Sequence, residues 1–284
     1  MSEKNSKELE CSLLKNALTG NYIVDVNAIF KEAWQKTLQS RMSINIGLCF
    51  ILLLGTLVSL TASNLMGGIE AVLKDQNAMS ILNIVVTIVI WPFLAGVEMM
   101  GVLHARGQET RAIMVFSFLQ RGSWVALCAL LTSILVGLGF QLYMVPGIIL
   151  AVLLSLTIPL VVDKKLSPLA AIKVSVLSLR FKFFQIFRLY LFLFIALLVL
   201  AMPVALLADS AIGPVAIMLF LFGMTFLAPL YYNVKGILYR EIFAVKTKDR
   251  EDNVNSRELN SSTPESTKAS DSDDSNGSNG TFSA

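Results

Sequence analysis

The chain has 284 residues, 55% of them hydrophobic and only 15% charged, with a mean hydropathy of +0.68. A water-soluble domain usually has about a quarter of its residues charged, so this composition excludes one and points to a bilayer as solvent. The formal charge of +3, with no basic block set apart from the apolar runs, excludes nucleic acid as a partner.

The amino end, Met1 to Asn21, is mixed polar and charged and has no apolar core before a small-residue cleavage site. It therefore does not read as a cleaved signal peptide. From Val26 the residues Ile29, Phe30, Ala33, Trp34 and Leu38 recur at helical spacing, with Asn27, Lys31, Glu32, Gln35 and Lys36 on the other face. The pattern suits an amphipathic helix, lying either in the membrane interface with Trp34 at headgroup depth or against the spans.

Six apolar spans are expected: Ile44 to Leu60, Met79 to Leu103, Trp124 to Met144, Pro146 to Val162, Phe187 to Leu207 and Ile212 to Tyr232. A bilayer core takes about 20 helical residues to cross. All but one of the 23 Lys and Arg residues lie at the two ends of the chain, between spans two and three, or between spans four and five. The exception is Lys74, beside Glu70 and Asp75. The positive-inside bias then places both termini in the cytoplasm. The expected fold class is all-α: a polytopic membrane protein with six transmembrane helices, cytoplasmic amphipathic helices and a disordered carboxyl-terminal tail. Its parts are a cytoplasmic segment over 1–42, a membrane domain over 43–243 and a tail over 244–284. The tail is rich in Ser, Asn, Asp, Glu and Gly, too polar to bury a core.

Each outward-going span is preceded by a basic or amphipathic stretch, over 26–41, 106–123 and 165–186, and each inward-going span carries a proline, Pro92, Pro159 or Pro229. Three hairpin units would produce this pattern, and so would chance similarity among apolar segments. Pro159 frees the carbonyl of Ser155 and Pro229 that of Thr225, each four residues earlier, and a neighbouring group must satisfy the freed region. Gly137 and Gly139 in the third span, and Gly67 and Gly68 in the first outer loop, suit tight turns or close helix approach.

The stretch after the fourth span is the most legible locally. Ser167 can cap a helix with Pro168 at its first position, and Leu169, Ile172, Val176 and either Leu179 or Phe183 then recur at helical spacing. Lys164, Lys165, Lys173, Arg180, Lys182 and Arg188 supply positive charge for anionic lipid headgroups on the cytoplasmic face, worth ~1 kcal/mol each close to the surface.

The string VPGIILAVLLSLTIPLVVDKKLSPLAAIKVSVLSLR, with PFLAGVEMMGVLHARGQETRA, resembles the YciC-type family of uncharacterised bacterial six-span inner-membrane proteins. The resemblance implies layout and location and carries no catalytic residues. The chain departs from that pattern at Glu98 and in its acidic, serine-rich tail.

No catalytic constellation emerges. His104 is the single histidine, which leaves no His-based metal cluster. Cys11, Cys49 and Cys128 have no metal-type spacing, and no glycine-rich phosphate loop is present. No cofactor is expected. Glu98 is the one acidic residue within a long apolar run, and intramembrane carboxylates are functional candidates. Near the end of its span, it can reach water or pair with Arg106. The expected role is non-enzymatic: membrane homeostasis, envelope integrity or assembly of membrane components. Its partners would be the bilayer and either another membrane protein or a second copy of the chain. The alternative is a small transporter or channel with kinked helices and Glu98 as its coupling carboxylate.

Overall fold

The computed structural model describes residues 14–207, 210 and 212–243. The expected tail over 244–284 and the first thirteen residues lie outside them. Among the described residues the chain is all-α, with no strand. Residues 14–19 are helical and are followed by α1 (Val26–Leu65), α2 (Ile69–Lys74), α3 (Gln76–Ala105), α4 (Gly122–Leu142), α5 (Met144–Leu153), α6 (Thr157–Asp163), α7 (Pro168–Leu179), α8 (Phe183–Leu207) and α9 (Gly213–Phe243). Two 3₁₀ turns, Ala112–Phe116 and Leu119–Arg121, join α3 to α4. Six helical stretches are long and apolar enough to cross a membrane: α1, α3, the 3₁₀ turns with α4, α5 with α6, α7 with α8, and α9.

The amphipathic stretch from Val26 and the first span form one helix of 40 residues. Asp25 caps it by accepting from the backbone N–H of Asn27 at 3.0 Å and of Ala28 at 3.3 Å. No proline or paired glycine lies between Val26 and Leu65, so nothing in the backbone stops the helix at the change from polar to apolar composition.

The fourth span is broken. Thr157 N–H bonds the carbonyl of Leu154 at 3.2 Å instead of that of Leu153, four residues back, and α5 and α6 flank this turn two residues before Pro159. The Leu153 carbonyl accepts instead from the Ser175 hydroxyl of α7 at 2.6 Å. At Pro229 the freed carbonyl is that of Thr225, which accepts from the Asn45 amide of α1 at 2.9 Å. Polar side chains of neighbouring helices thus take up the Leu153 carbonyl at the break and the Thr225 carbonyl, as a membrane interior requires.

Ser167 stands at the N-cap of α7, ahead of Pro168, without a side-chain capping bond. The buried face of α7 is Pro168, Ala171, Ser175, Ser178 and Leu179, whereas Leu169 is 64% exposed. Small residues let α7 approach the fourth span closely, so the bulkier aliphatic stripe points outward more than its spacing suggests. Gly20, at φ +77°, seats the chain against Phe181, and a Cβ there would meet the ring at 2.6 Å. The Tyr22 hydroxyl then donates to the Ser178 carbonyl at 2.5 Å.

α1, α3 and α9 pack most extensively on one another. Burial is uneven along them. The run Ala95–Val102 of α3 is continuously buried, as is Asn233–Tyr239 of α9, while Leu52, Leu57, Met218 and Phe222 are among the exposed apolar side chains of the opposite halves. The densely packed half is the one that gathers the basic connections. It is called the basic end below.

Candidate functional site

Two glycines set the geometry of the basic end. A Cβ on Gly101 would fall 2.2 Å from the Tyr232 carbonyl oxygen, and one on Gly236 would fall 2.1 Å from the Gly101 carbonyl oxygen. α3 and α9 therefore touch backbone to backbone, a distance that only glycine permits. Glu98 precedes Gly101 by one turn, and Lys235 adjoins Gly236.

The Lys235 ammonium donates to Glu98 Oε1 at 2.6 Å, with 7% and 4% of the two side chains exposed. Glu98 Oε2 is buried without a partner. Glu98 thus pairs with Lys235 and not with Arg106. The Arg106 guanidinium instead donates to Asp163 Oδ2 at 2.9 Å, which also accepts from the Tyr239 hydroxyl at 2.8 Å. Lys235 lies beyond the Tyr232 end expected for the sixth span. Its sequence signal is the apolar pair Ile237 and Leu238, which carries the helix onward past the lysine.

A neutral network lies beside the pair. His104 Nδ1 is 3.2 Å from Ser40 Oγ and 3.0 Å from Asn233 Oδ1, and Nε2 is 2.5 Å from Thr110 Oγ1. The Asn233 amide donates to Thr37 Oγ1 at 2.9 Å. These bonds join α1, α3 and α9 through groups that all find partners, the condition for a polar network to stabilise a core. Arg240 forms the outer clamp. Its Nη1 and Nη2 donate to Glu32 Oε1 and Oε2 at 2.6 and 2.8 Å, and Nη1 also donates to the Ala105 carbonyl at 2.6 Å. Both oxygens of one carboxylate on a planar guanidinium give a fixed geometry that lysine does not reproduce.

The basic residues expected at the membrane surface lie apart from Glu98, on the connection after α6 and along α7 and the start of α8. Lys164 Nζ is 4.0 Å from Asp163 Oδ2, and Lys165 adopts a left-handed φ of 54°. Lys165, Lys173, Arg180 and Arg188 are exposed and Lys182 is partly so. Arg180 stacks over the Phe181 ring at 4.7 Å. With Leu169, Leu177 and Phe184 also exposed, α7 and the entry to α8 present a strip that is apolar and cationic together.

Among the described residues no group of His, Cys, Asp and Glu could hold a metal ion. No family model, curated protein or solved structure matches the chain. Chemically, the site can lock three helices together through opposite charges, and its carboxylate keeps one oxygen that can accept a proton.

Proposed function

We propose that the chain is a non-enzymatic, multi-pass protein of a bacterial inner membrane with both termini in the cytoplasm. Its role would lie in membrane homeostasis, envelope integrity or the assembly of other membrane components. We also propose that it belongs with the YciC-type family, on the residues that carry that resemblance. The observation that carries the functional reading is the strip Leu169, Lys173, Leu177, Arg180 and Phe184, exposed together at the basic end of the bundle. An interfacial helix with this mixture anchors to anionic headgroups, each cation adding about 1 kcal/mol.

The test is purification of the full chain in native lipid, with lipids and bound proteins identified by mass spectrometry. Anionic lipid should be retained by the wild type and reduced several-fold when Lys164, Lys165, Lys173, Arg180 and Lys182 are all changed to Gln. A second membrane protein or a second copy of the chain should accompany it. Equal lipid retention by both forms, or a clean monomer, counts against the reading. Reporter fusions at Gln76 and Lys248 test the orientation: a cytoplasmic signal at Gln76 breaks it.

A further inference from the structure

Arg41 stands on α1 just before the first span and is half-buried against α9. Its guanidinium lies over the Phe226 ring, 4.4 Å from the ring centre. The Trp34 ring stacks on Phe226 with centres 6.5 Å apart, and Phe222, one turn away on α9, meets Phe226 edge to face at 5.5 Å. Asn45, one turn after Arg41, donates to the Thr225 carbonyl beside Phe226 at 2.9 Å, which holds the two helices in register at this point. Trp34 and Phe222 are both exposed, so the crevice opens to the surroundings of the bundle.

This arrangement occupies the face of the guanidinium and leaves its edge. Arg240 ends on Glu32, and Arg106 on Asp163. Among the described residues Arg41 meets neither a carboxylate nor a hydrogen-bond acceptor. A cation–π contact uses the plane of the ion, whereas its N–H donors point outward within that plane, in a fork that matches two oxygens of one phosphate. A charge at the entry to a span is costly until an anion meets it. In a bundle that crosses a bilayer, the anion at that level is the phosphate of the lipid headgroup. A phosphodiester with no ammonium tethered to it brings the net negative charge that complements Arg41.

We propose that Arg41, Trp34 and Phe226 form a binding site for one anionic phospholipid in the crevice between α1 and α9. The edge N–H groups of Arg41 donate to two oxygens of its phosphodiester, and an acyl chain runs along α9 past Phe222. Lysine would supply the charge without the stack or the paired donors. The site is separate from the strip on α7 and α8, which needs only surface charge, so either can fail without the other.

The test uses the full chain carrying Trp91→Phe and Trp124→Phe, which leaves Trp34 as its one tryptophan. It is placed in phosphatidylcholine vesicles holding a few mole per cent of phosphatidylglycerol brominated on its acyl chains near the glycerol, a contact quencher of indole emission. The control is phosphatidylcholine brominated at the same positions. Phosphatidylglycerol should quench Trp34 several-fold more than the control, and because both lipids meet the same protein this comparison depends on no variant at Arg41. Arg41→Gln should remove the excess, and Arg41→Lys should lose most of it although the charge is kept. Changing Lys165, Lys173, Arg180 and Lys182 together to Gln should leave it in place, as should added inorganic phosphate. Equal quenching by the two lipids overturns the proposal, as does an excess that survives Arg41→Gln or persists in full in Arg41→Lys. An excess that disappears with the strip cations, or that inorganic phosphate displaces, overturns it too.

Discussion

Removing Lys235 should be far more harmful than removing the whole ion pair. At 2.6 Å and an effective dielectric of about 20, the direct attraction is about 6 kcal/mol. Stripping water from both ions costs several kcal/mol each, so the pair contributes little net stability against an apolar replacement. Lys235→Met alone leaves Glu98 as an uncompensated buried carboxylate, and the expected loss is about 3–5 kcal/mol. Glu98→Met alone strands the ammonium and should cost a similar amount. The double variant, Glu98→Met with Lys235→Met, replaces both charges by flexible apolar chains of comparable length. It should unfold within about 1 kcal/mol of the wild type or above it. The assay is a double-mutant cycle of unfolding free energies in bicelles, titrated with denaturing detergent. Single losses under about 1 kcal/mol that add in the double variant would refute the reasoning, because the two groups would then not be coupled.

Gly236→Ala should lose helix packing severely, because its Cβ would overlap the Gly101 carbonyl at 2.1 Å, whereas Gly137→Ala meets nothing within 4 Å and should be stabilising by about 0.5–1 kcal/mol from helix propensity; parallel melting curves decide. Arg240→Lys keeps the charge but cannot hold both Glu32 oxygens and the Ala105 carbonyl. It should cost about 1–3 kcal/mol by the same detergent titration. Burial pushes the Tyr22 hydroxyl up to about 12 from 10.0. Its folded value is raised, so the folded state binds more protons between pH 10 and 12, and stability falls as pH rises through that window. Tyr22→Phe should flatten that loss, which ultraviolet tyrosinate titration alongside unfolding would register.

The spans were legible because long uncharged runs have few other solutions. Pro168 was legible because its place at the first helical position depends on three adjacent residues. Pro229 was legible in part: losing its N–H frees the Thr225 carbonyl from local rules alone, but the amide that satisfies it belongs to Asn45, 180 residues away. Glycines show the limit most clearly. Gly67 and Gly68 adopt the positive φ that a turn demands, and Gly139 would press a Cβ to 2.9 Å from Gly147 Cα, yet Gly137 touches nothing. Gly101 and Gly236, the pair that fixes the α3–α9 crossing, look like any other helical glycines in the sequence. Close approach belongs to two helices at once, and no single-helix pattern encodes it.

The same reasoning explains why Glu98 was visible and Lys235 was not. A carboxylate inside an apolar run stands out against its neighbours. A lysine just past the point where a span reaches its nominal length reads as an interfacial anchor. The difference lies in where α9 ends: it continues to Phe243, and Asn233–Tyr239 is buried throughout. That burial has a cause in the opposite partner. Because Gly101 admits α9 to backbone contact, the lysine stem is enclosed between two helices before its head can reach an interface. The carboxylate one turn earlier on α3 is then the partner placed to receive it. Each charge makes the other tolerable, and the glycine crossing makes the pairing unavoidable. The functional candidate is therefore the crossing with its ion pair, of which the sequence displays only the acidic half.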